Sequence, residues 1–327
     1  MGKVTMTNAP QVGGHTENEI ASQPGVWRRA AGSAADLAPA LPRAGERVAV
    51  VGCGTSWFVA QSYAALREGA GQGETDAFAA SEFPHGRAYD RVLALSRSGT
   101  TTEVLDVLRR VRGTIPTVAI TADPGTPVMD AADDVVVLDY ADERSVVQTR
   151  FATTQLVLLR AHLGEDVSAA IEDAGRALAE PLPRGAAEAE QFTFLGRGWT
   201  VGLAHEAALK MREAAGAWTE SYPAMEYRHG PISITGPGRV VWSFGEPPAG
   251  LADQVAQVGG TMVAGSLDPL ADLIRAQRLA VAIARSRGAD PDTPRNLTRS
   301  VILTPGTGAS ESAASGAGSA AERGGGA

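Results

Sequence analysis

Residues 47–56 have the sequence RVAVVGCGTS, and the fold of this chain can be predicted from that stretch. A short apolar, β-rich run ends in Gly52, and a helical stretch follows from residue 56 to about residue 67. Strands that are apolar on both faces are typical of a parallel sheet covered by helices. The stretch therefore predicts a strand, a glycine-rich turn and a helix.

Apolar runs with the same outline recur along the chain. Residues 91–96, RVLALS, precede a Ser/Gly turn and a helical stretch with 3.6-residue periodicity over residues 103–108. Short strands that alternate with amphipathic helices predict the α/β class, with parallel sheets and helices on both faces. The remaining predicted strands are residues 117–120, 135–138, 191–198, 240–244 and 261–264.

This order of elements predicts two α/β units in tandem. A long helical stretch over residues 152–180 ends at Pro181-Leu182-Pro183, and a new strand begins after it. Proline at such a point is typical of a boundary between units. We therefore predict a first unit over residues 15–183 and a second over residues 184–303.

The two ends of the chain have little apolar surface to bury. Residues 1–14 predict a disordered leader, and the Gly/Ala/Ser-rich residues 304–327 predict a disordered tail. After the leader, residues 15–33 predict a helix that begins the first unit. Pro24 should interrupt this helix, because proline lacks the amide hydrogen that a helix interior uses.

Composition excludes several classes of protein. The chain has 327 residues, 44% hydrophobic and 20% charged, as in ordinary globular proteins. Its formal net charge of −8 argues against broad binding to nucleic acid or to anionic membranes. The single cysteine, Cys53, excludes an intrachain disulfide and a multi-cysteine metal site. Without an apolar signal segment or a run of about 18 apolar residues, the sequence predicts a cytoplasmic protein.

The loop after the first predicted strand is a candidate anion site. Gly52-Cys53-Gly54-Thr55-Ser56 opens a helix, and the amide groups at a helix N-terminus suit an anion. The dinucleotide fingerprint G-x-G-x-x-G fails because residue 57 is Trp, and no Gly-Lys-Ser/Thr follows. Taken alone, this loop is equally compatible with a simple tight turn.

A second loop of this kind follows the next predicted strand along the sheet. Residues 96–101, SRSGTT, carry four hydroxyls, more than a helix N-cap requires, although a capped and solvated turn is the alternative. If the two strands are neighbours, both loops face one crevice at the carboxyl edge of the sheet. The two loops together predict a phosphate cradle.

A predicted helix in the second unit carries three charged residues on one face. Glu206, Lys210 and Glu213 are spaced i, i+4 and i+7, which places the two glutamates within about 20° of each other. The alternative is a solvated Glu–Lys face that stabilises the helix by a few tenths of a kcal/mol. His205 and Glu206 do not form a zinc motif, because residue 209 is Leu.

His229 lies in a compact polar run, residues 226–231, EYRHGP. The chain has five histidines, and one between Arg and Gly in a loop is a poor core residue. Histidine titrates near neutral pH and can transfer protons. The run therefore contains a candidate acid–base residue.

These motifs together resemble the SIS (sugar isomerase) domain family. The resemblance extends over residues 15–303 and is greatest to the isomerase half of glutamine–fructose-6-phosphate aminotransferase and to related amino-sugar-phosphate deaminase/isomerases. The segments that carry it are Glu19-Ile20, Gln23-Pro24, the two hydroxyl loops, residues 146–155 (VVQTRFATTQ), residues 194–198 (FLGRG), the Glu206 to Glu213 helix, residues 228–231 (RHGP) and residues 294–297 (PRNL).

The resemblance implies an architecture and a set of partners. It implies two tandem doubly wound, flavodoxin-like parallel-sheet SIS subdomains, with a phosphorylated amino sugar bound at the loops of the first. It also implies a homodimer in which the His229 loop reaches the partner's site. It implies no cofactor and no metal.

The resemblance also implies residue functions. Glu213 matches the carboxylate that moves a proton between C1 and C2, and His229 matches the residue that opens the sugar ring, as acid–base chemistry requires. Arg97 would add a charged contact to the phosphate, and Val146 would offer its backbone to the sugar. The implied substrate-binding residues are Thr55, Ser56, Ser96, Arg97, Ser98, Thr101, Val146, Glu206, Lys210 and Arg299.

Two departures from the family shape the predicted activity. The aminotransferases begin with a glutaminase domain whose nucleophile is cysteine, whereas here residue 2 is Gly. The family's C-terminal Leu-Ala-Lys-Ser is here Leu297-Thr298-Arg299-Ser300, and arginine stays protonated and cannot replace a lysine nucleophile. We predict an isomerase/deaminase of an amino-sugar phosphate such as glucosamine 6-phosphate. The alternatives are a non-catalytic phosphosugar-binding protein and a fructosamine-phosphate deglycase.

Overall fold

Five parallel strands form the sheet of the first unit in the computed structural model, which describes residues 13–303. Their order in the sheet is β2-β1-β3-β4-β5, which is the flavodoxin-like order. The strands are β1 (Val48–Gly52), β2 (Thr75–Ala79), β3 (Arg91–Leu95), β4 (Thr117–Thr121) and β5 (Asp134–Val137).

Four parallel strands form the second sheet, and they repeat the order of the first. The order is β7-β6-β8-β9. The strands are β6 (Gln191–Gly196), β7 (Trp218–Pro223), β8 (Arg239–Ser243) and β9 (Thr261–Ala264). The predicted fold class, two tandem doubly wound parallel-sheet units, is confirmed.

Helices separate the two sheets and cover their outer faces. They are α1 (Gly14–Leu37), α2 (Thr55–Gly69), α3 (Thr102–Val111), α4 (Val128–Ala131), α5 (Arg150–His162), α6 (Ser168–Ala179), α7 (Thr200–Ala215), α8 (Leu251–Gln257) and α9 (Pro269–Ser286). Short 3₁₀ turns occur at Ala80–Glu82, Asp139–Ala141, Glu226–His229 and Pro231–Ile234.

One continuous core joins the two units. Helices α1, α2, α5, α7 and α9 pack together with the inner faces of both sheets. Val48 and Val50 of β1 face this core, whereas Ala49 and Val51 face the outer layer formed with α3 and α4. Successive side chains of a strand point to opposite faces, so a strand buried on both sides must be apolar throughout.

Helix α1 passes through Pro24 without a break, which corrects the predicted interruption. Proline cannot donate the amide hydrogen that the carbonyl of Ile20 would receive in a regular helix. The side chain of Gln23 takes its place, since its Nε2 donates to the Ile20 oxygen at 3.2 Å. A side-chain donor from the preceding residue thus satisfies the carbonyl that proline leaves open.

The single helical stretch predicted over residues 152–180 is two helices, α5 and α6. Helix α5 ends at His162, and two residues later Gly164 has a φ of +86°, in the left-handed region that glycine adopts readily. The Gly164 amide donates to the Ala161 carbonyl at 3.0 Å. The apolar periodicity continues across this turn, so the glycine was the signal that marks the end of the helix.

Strands β2 and β7 were not predicted, and both lie at the edge of a sheet. β2 has the sequence TDAFA and β7 the sequence WTESYP, without a continuous apolar run. An edge strand has one neighbour and a partly solvated face, so its residues need not be apolar. Trp218 of β7 is 74% exposed, which shows how open this edge is.

The predicted boundaries fall partly outside the described residues. Residues 1–12 and the predicted tail, residues 304–327, lie outside them, while Gly14 already belongs to α1 rather than to a leader. Pro181-Leu182-Pro183 lies between the end of α6 and the start of β6. Within residues 13–303, no helix is long and apolar enough to cross a bilayer.

Candidate functional site

The two hydroxyl loops lie side by side at the carboxyl edge of the first sheet. β1 pairs directly with β3, with Val51 opposite Ala94, so the loops that leave these strands are neighbours. The strand order also reverses here, since β2 lies on one side of β1 and β3 on the other. Ligands of open α/β sheets bind at this switch point. We call residues 53–56 and 96–101 the cradle.

The first cradle loop depends on two glycines. A Cβ at Gly52 would lie 2.7 Å from the backbone carbon of Ser56, so no larger residue fits there. Gly54 has φ 54° and ψ −123°, a conformation that glycine alone adopts readily. Helix α2 then begins at Thr55 without a side-chain cap; the Ser56 amide donates to the Cys53 carbonyl at 3.2 Å, and an anion at this helix N-terminus would be bound by the other amides.

The second cradle loop is organised by its own hydroxyls. Ser96 Oγ accepts from the Gly99 amide at 3.2 Å, and Ser98 Oγ accepts from the Thr100 amide at 3.3 Å. Gly99 has φ +62°, and a Cβ there would lie 2.1 Å from a threonine hydroxyl. Thr101 precedes α3 and makes no side-chain cap. The hydroxyls that the sequence assigned to phosphate are therefore held close together.

The Arg97 side chain is buried and bound to the protein itself. Its Nη1 donates to the Ser145 carbonyl at 3.1 Å and lies 3.5 Å from Glu143 Oε2. Its Nη2 donates to the carbonyls of Val146 at 3.1 Å and Arg299 at 3.2 Å. Each Nη group thus has two acceptors, whereas the Arg97 Nε has no hydrogen-bond partner among the described residues, so the charged contact to the phosphate stays a prediction. Burial lowers the pKa of Arg97, against the effect of Glu143.

Arg299 is also engaged with the protein. Its Nη1 donates to the Glu143 carbonyl, and its Nη2 donates to Asp142 Oδ1 at 2.5 Å. The side chain remains 35% exposed. Arg299, which replaces the family's lysine, is thus bound to the loop at residues 142–149. We call these residues the 142–149 loop.

Val146, which was expected to offer its backbone to the sugar, lies in the middle of the 142–149 loop. Its amide donates to the Asp292 carbonyl at 3.0 Å, and its carbonyl accepts from Arg97. A carbonyl oxygen has two lone pairs, so one remains for a ligand, whereas the amide hydrogen is already used. Of the Val146 backbone groups, the carbonyl is therefore the one that a sugar can contact.

Two buried carboxylates hold the 142–149 loop: Glu19, which sequence reasoning named only within a segment of the family resemblance, and Glu143, which it did not name. Glu143 Oε1 accepts from the amides of Thr149 at 2.6 Å and Arg150 at 2.8 Å. Glu19 of α1 accepts from the Arg144 amide at 2.6 Å and from the Ser145 hydroxyl. Burial raises the pKa of Glu19, and the nearby Glu143 adds to the effect. No local motif marks such residues, because their partners are distant in sequence.

Glu206, Lys210 and Glu213 meet on one face of α7, as predicted. Lys210 Nζ donates to Glu213 Oε2 and lies 3.6 Å from Glu206 Oε1. The side chains of Lys210 and Glu206 are buried, and that of Glu213 is 19% exposed. The alternative of a solvated Glu–Lys face is wrong, since this cluster lies inside the protein.

Burial and mutual charge shift the pKa values of Glu206 and Lys210 in this cluster. Burial raises the pKa of Glu206 to about 7, although Lys210 opposes the shift. Burial works to lower the pKa of Lys210, but the two carboxylates outweigh it and raise that pKa. Neither oxygen of Glu206 has a hydrogen-bond partner among the described residues. Glu206 is therefore poised to change protonation near neutral pH.

Helix α7 of the second unit packs against α2 of the first, which joins the cluster to the cradle. A Cβ at Gly202 would lie 2.3 Å from the Phe58 carbonyl, so glycine is needed for this close approach. The Thr55 hydroxyl lies near enough to the Glu206 carboxylate to lower its pKa. The first residue of α2 thus belongs to both the cradle and the carboxylate cluster.

Glu213 lines a cavity of about 500 Å³ between the end of α7 and the residues that follow α9. Arg212, Arg287 and Arg295 also line this cavity. Both the position of Glu213 and its partial exposure place its carboxylate where a small molecule can reach it.

His229 stands apart from these residues. It ends the 3₁₀ turn at Glu226–His229, which follows β7, and its side chain is exposed. Among the hydrogen bonds of residues 13–303, none joins His229 to the cradle or to the α7 cluster. Nor do the described residues contain a group of three or more His, Cys, Asp or Glu side chains that could hold a metal.

The fold and the candidate site define a class of α/β ligand-binding protein. In this class, two parallel-sheet units bring a hydroxyl-rich cradle together with a buried carboxylate cluster. The family model described as SIS domain matches residues 41–163, which include the whole cradle. Residues 41–163 thus match the SIS domain family, to which the sequence resemblance pointed.

A curated relative is the glutamine–fructose-6-phosphate aminotransferase [isomerizing] of Pyrobaculum aerophilum. It is 31% identical over 264 residues, which cover 65% of this chain and 44% of that protein. This chain spans about half the length of the curated relatives it matches. The similarity therefore concerns one part of those longer proteins.

Two solved structures share the fold. Glucosamine-6-phosphate deaminase from Thermotoga maritima has a TM-score of 0.76 at 24% identity, over 88% of this chain and 100% of that one. Tagatose-6-phosphate ketose/aldose isomerase from Escherichia coli has a TM-score of 0.71 at 18% identity, over 89% of this chain and 96% of that one. At these identities the likeness shows a common architecture.

Proposed function

We propose that this chain is a phosphosugar isomerase that acts on an amino-sugar phosphate such as glucosamine 6-phosphate and releases a ketose phosphate and ammonia. The observation that carries the proposal is the close packing of α2, which begins in the cradle, against α7, which carries the carboxylate cluster: a Cβ at Gly202 of α7 would lie 2.3 Å from the Phe58 carbonyl of α2. An anion held by the cradle would thus lie beside groups that can move protons. The names of the relatives, an aminotransferase and a deaminase, support the same class of substrate.

The cradle would hold the phosphate through its hydroxyls and the amides that begin α2. The hydroxyl residues assigned to this contact are Thr55, Ser56, Ser96, Ser98 and Thr101. Hydroxyls and helix N-terminal amides donate hydrogen bonds to phosphate oxygens without requiring a buried cation. Because both Nη groups of Arg97 bind carbonyl groups of the protein, hydroxyls and amides would make most of the contacts to the phosphate.

Glu213 would carry a proton between C1 and C2 of the open sugar. Its carboxylate is partly exposed and receives a hydrogen bond from Lys210, which keeps it oriented and available as a base. Lys210 is itself held between two carboxylates and remains charged. Glu206 would set the charge of the cluster, since its pKa near 7 lets it gain or lose a proton as the reaction proceeds.

Opening of the sugar ring would fall to His229 of a second copy of the chain in a homodimer. The exposed position of His229 at the end of its turn supports this arrangement, because a residue that serves a neighbouring subunit must reach outward. An imidazole can both accept and return the proton that ring opening requires, because one ring nitrogen can donate while the other accepts.

The test is an assay of the purified full chain with glucosamine 6-phosphate, in which ammonia and ketose phosphate are both measured. We expect Glu213→Gln to lower kcat at least about a hundredfold, as the loss of a general base does, with phosphosugar binding retained. Glu172→Gln, at an exposed position on α6, is the matched control. The proposal is wrong if wild type turns over none of a panel of hexosamine 6-phosphates.

A second candidate is a phosphosugar-binding protein without catalysis. Its support is Arg299, which stands where the family has lysine and whose guanidinium is bound to Asp142 and the Glu143 carbonyl. Calorimetry with glucosamine 6-phosphate and fructose 6-phosphate separates the two functions. Tight binding by a wild-type chain that releases neither ammonia nor ketose phosphate would favour this candidate.

A further inference from the structure

Arg97 lies where three segments of the chain meet. It belongs to the second cradle loop, and its side chain reaches the 142–149 loop and the residues at 291–303, which we call the C-terminal segment. The side chain is 1% exposed. A charged side chain buried to this extent costs free energy unless its contacts are well satisfied, so its position is set by the structure around it.

We propose that Arg97 is a positioning residue that holds the Val146 backbone and the C-terminal segment beside the cradle, and that it thereby sets the affinity for the phosphosugar without touching it. The inference rests on the proposed function and deepens it. It assigns the charged residue of the SRSGTT loop to the wall of the site instead of to the phosphate.

The shape of a guanidinium suits this arrangement. Nη2 donates to Val146 and Arg299 at 3.1 and 3.2 Å, and Nη1 donates to Ser145 at 3.1 Å. Three carbonyls on two segments are thus held by one planar group with fixed donor directions. A glutamine amide has two donor hydrogens and a lysine ammonium has no fixed plane, so neither can reproduce all three bonds.

Further contacts fix both the Arg97 backbone and the 142–149 loop that its guanidinium binds. The carbonyl of Arg97 accepts from the Ala122 amide at 3.1 Å and from the Thr121 hydroxyl at 3.2 Å, which attaches its backbone to the end of β4. Glu143 lies 3.5 Å from Nη1 as the counter-charge, and its other oxygen holds the 142–149 loop through Thr149. The guanidinium therefore fixes the position of the 142–149 loop relative to the end of β4.

The other bonds that hold the C-terminal segment to the second cradle loop are more exposed. The Thr100 and Ser300 hydroxyls are 2.7 Å apart, and the Thr102 amide donates to the Val301 carbonyl at 3.2 Å. Val301 is 54% exposed. Hydrogen bonds that water can reach contribute less than buried, charge-assisted ones, so Arg97 should dominate the attachment.

Arg67 provides a matched control within the same unit. It is also a buried arginine, and it donates to the carbonyls of Gly73 at 3.1 Å and Arg43 at 2.6 Å. It lies near the end of α2, next to the start of β2, and therefore at the opposite edge of the sheet from the cradle. Replacing it removes the same kind of group without disturbing the site.

The experiment compares Arg97→Gln, Arg97→Lys and Arg67→Gln in the full chain. For each, kcat and KM are measured with glucosamine 6-phosphate, the dissociation constant is measured for fructose 6-phosphate, and amide hydrogen exchange is followed over residues 142–149 and 297–303. We expect Arg97→Gln to raise KM and the dissociation constant about tenfold or more, as the loss of a charge-assisted hydrogen bond does, while kcat changes by less than about threefold.

The control and the exchange data complete the test. Arg97→Lys should restore part of the affinity, and exchange should be faster in both segments for Arg97→Gln. Arg67→Gln should lower the stability of the fold and leave the affinity unchanged. An equal loss of affinity in Arg97→Gln and Arg67→Gln, or a fall in kcat with KM unchanged, would overturn the assignment.

Failure of the proposed function can be distinguished from failure of the positioning inference. If wild type neither binds nor converts the phosphosugars, the proposed function fails, and hydrogen exchange alone decides the positioning. In that case, the inference is wrong if amide hydrogen exchange in both segments of Arg97→Gln is as slow as in wild type.

Discussion

Lys210 Nζ lies 3.6 Å from Glu206 Oε1, and both side chains are buried on α7. A cation and a carboxylate at this distance inside a protein stabilise each other, and each would be costly alone. Lys210 also donates to Glu213, so one ammonium group serves two carboxylates. The charge state of the cluster therefore affects the stability of the fold.

Lys210→Met should destabilise the fold, because it leaves Glu206 buried without a cation. We expect the free energy of unfolding at pH 8 to fall by about 3 to 5 kcal/mol, as when one partner of a buried pair is removed. Denaturant titration measures the change. Adding Glu206→Gln in the same chain should recover part of the loss; a double variant as unstable as Lys210→Met would argue against the pairing.

Glu206→Gln should change the pH dependence of stability. The pKa of Glu206 is about 7 in the fold, against an ordinary value of 4.5, so between these values the folded chain holds a proton that the unfolded chain has released. The contribution of Glu206 to stability is therefore full below about pH 4.5 and lost as the pH rises through 7.

The variant has no such loss, so its stability relative to wild type should increase by at most roughly 3 kcal/mol between pH 4.5 and pH 8. Denaturant titrations across that range measure the difference. Glu82→Gln, at an exposed position, is the control for the loss of any carboxylate. A difference in the free energy of unfolding between wild type and Glu206→Gln that stays constant with pH would contradict the raised pKa of Glu206.

Gly99→Ala should disrupt the second cradle loop. The φ of +62° disfavours alanine, and the new Cβ would lie 2.1 Å from the Thr126 hydroxyl. We expect a loss of about 1 to 3 kcal/mol in the free energy of unfolding and a weaker affinity for phosphosugar. Gly86→Ala, an exposed position with open space around it, should change neither. Unchanged binding by Gly99→Ala would show that the loop tolerates the distortion.

Cys53 should react slowly with alkylating reagents although it is only half-buried. Burial raises the pKa of its thiol to about 11, and the nearby Glu103 adds to the shift. Because the pKa of a free cysteine is about 8.5, the thiolate fraction of Cys53 at pH 7.5 should be roughly 300-fold smaller than that of a free cysteine. Iodoacetamide labelling followed by mass spectrometry measures the rate.

Glu103→Gln should accelerate this labelling, because it removes a negative charge that disfavours the thiolate. Glu68→Gln, at the far end of α2, should leave the rate unchanged. Equal rates in wild type and Glu103→Gln would mean that burial alone controls the thiol.

The sequence was sufficient to predict what depends on local pattern. The buried strands are continuous apolar runs, and the cradle follows from hydroxyls placed directly after two of them. Edge strand β7 was missed because its polar, partly exposed residues have no such pattern. The helix through Pro24 was missed for a different reason, since the Gln23 side chain that replaces the lost hydrogen bond cannot be recognised from spacing.

Contacts between distant segments lay beyond what the sequence could indicate. Ser96, Arg97 and Ser98 are consecutive, and nothing in their order shows that the arginine binds carbonyls near residues 145 and 299. Glu19 and Glu143 are likewise defined by partners on other elements. In contrast, the α7 cluster was predicted because its members are neighbours on one helix.

The contact between Arg97 and Arg299 has a consequence for the order in which the site forms during synthesis. A ribosome completes the cradle by residue 101, but α7 begins only at Thr200, and one carbonyl to which Arg97 donates belongs to residue 299. A nascent chain thus carries the cradle long before it has the groups that surround it. If the cradle binds a phosphosugar as proposed, full affinity requires the chain through residue 299, so the ligand would stabilise long chains and not short nascent ones.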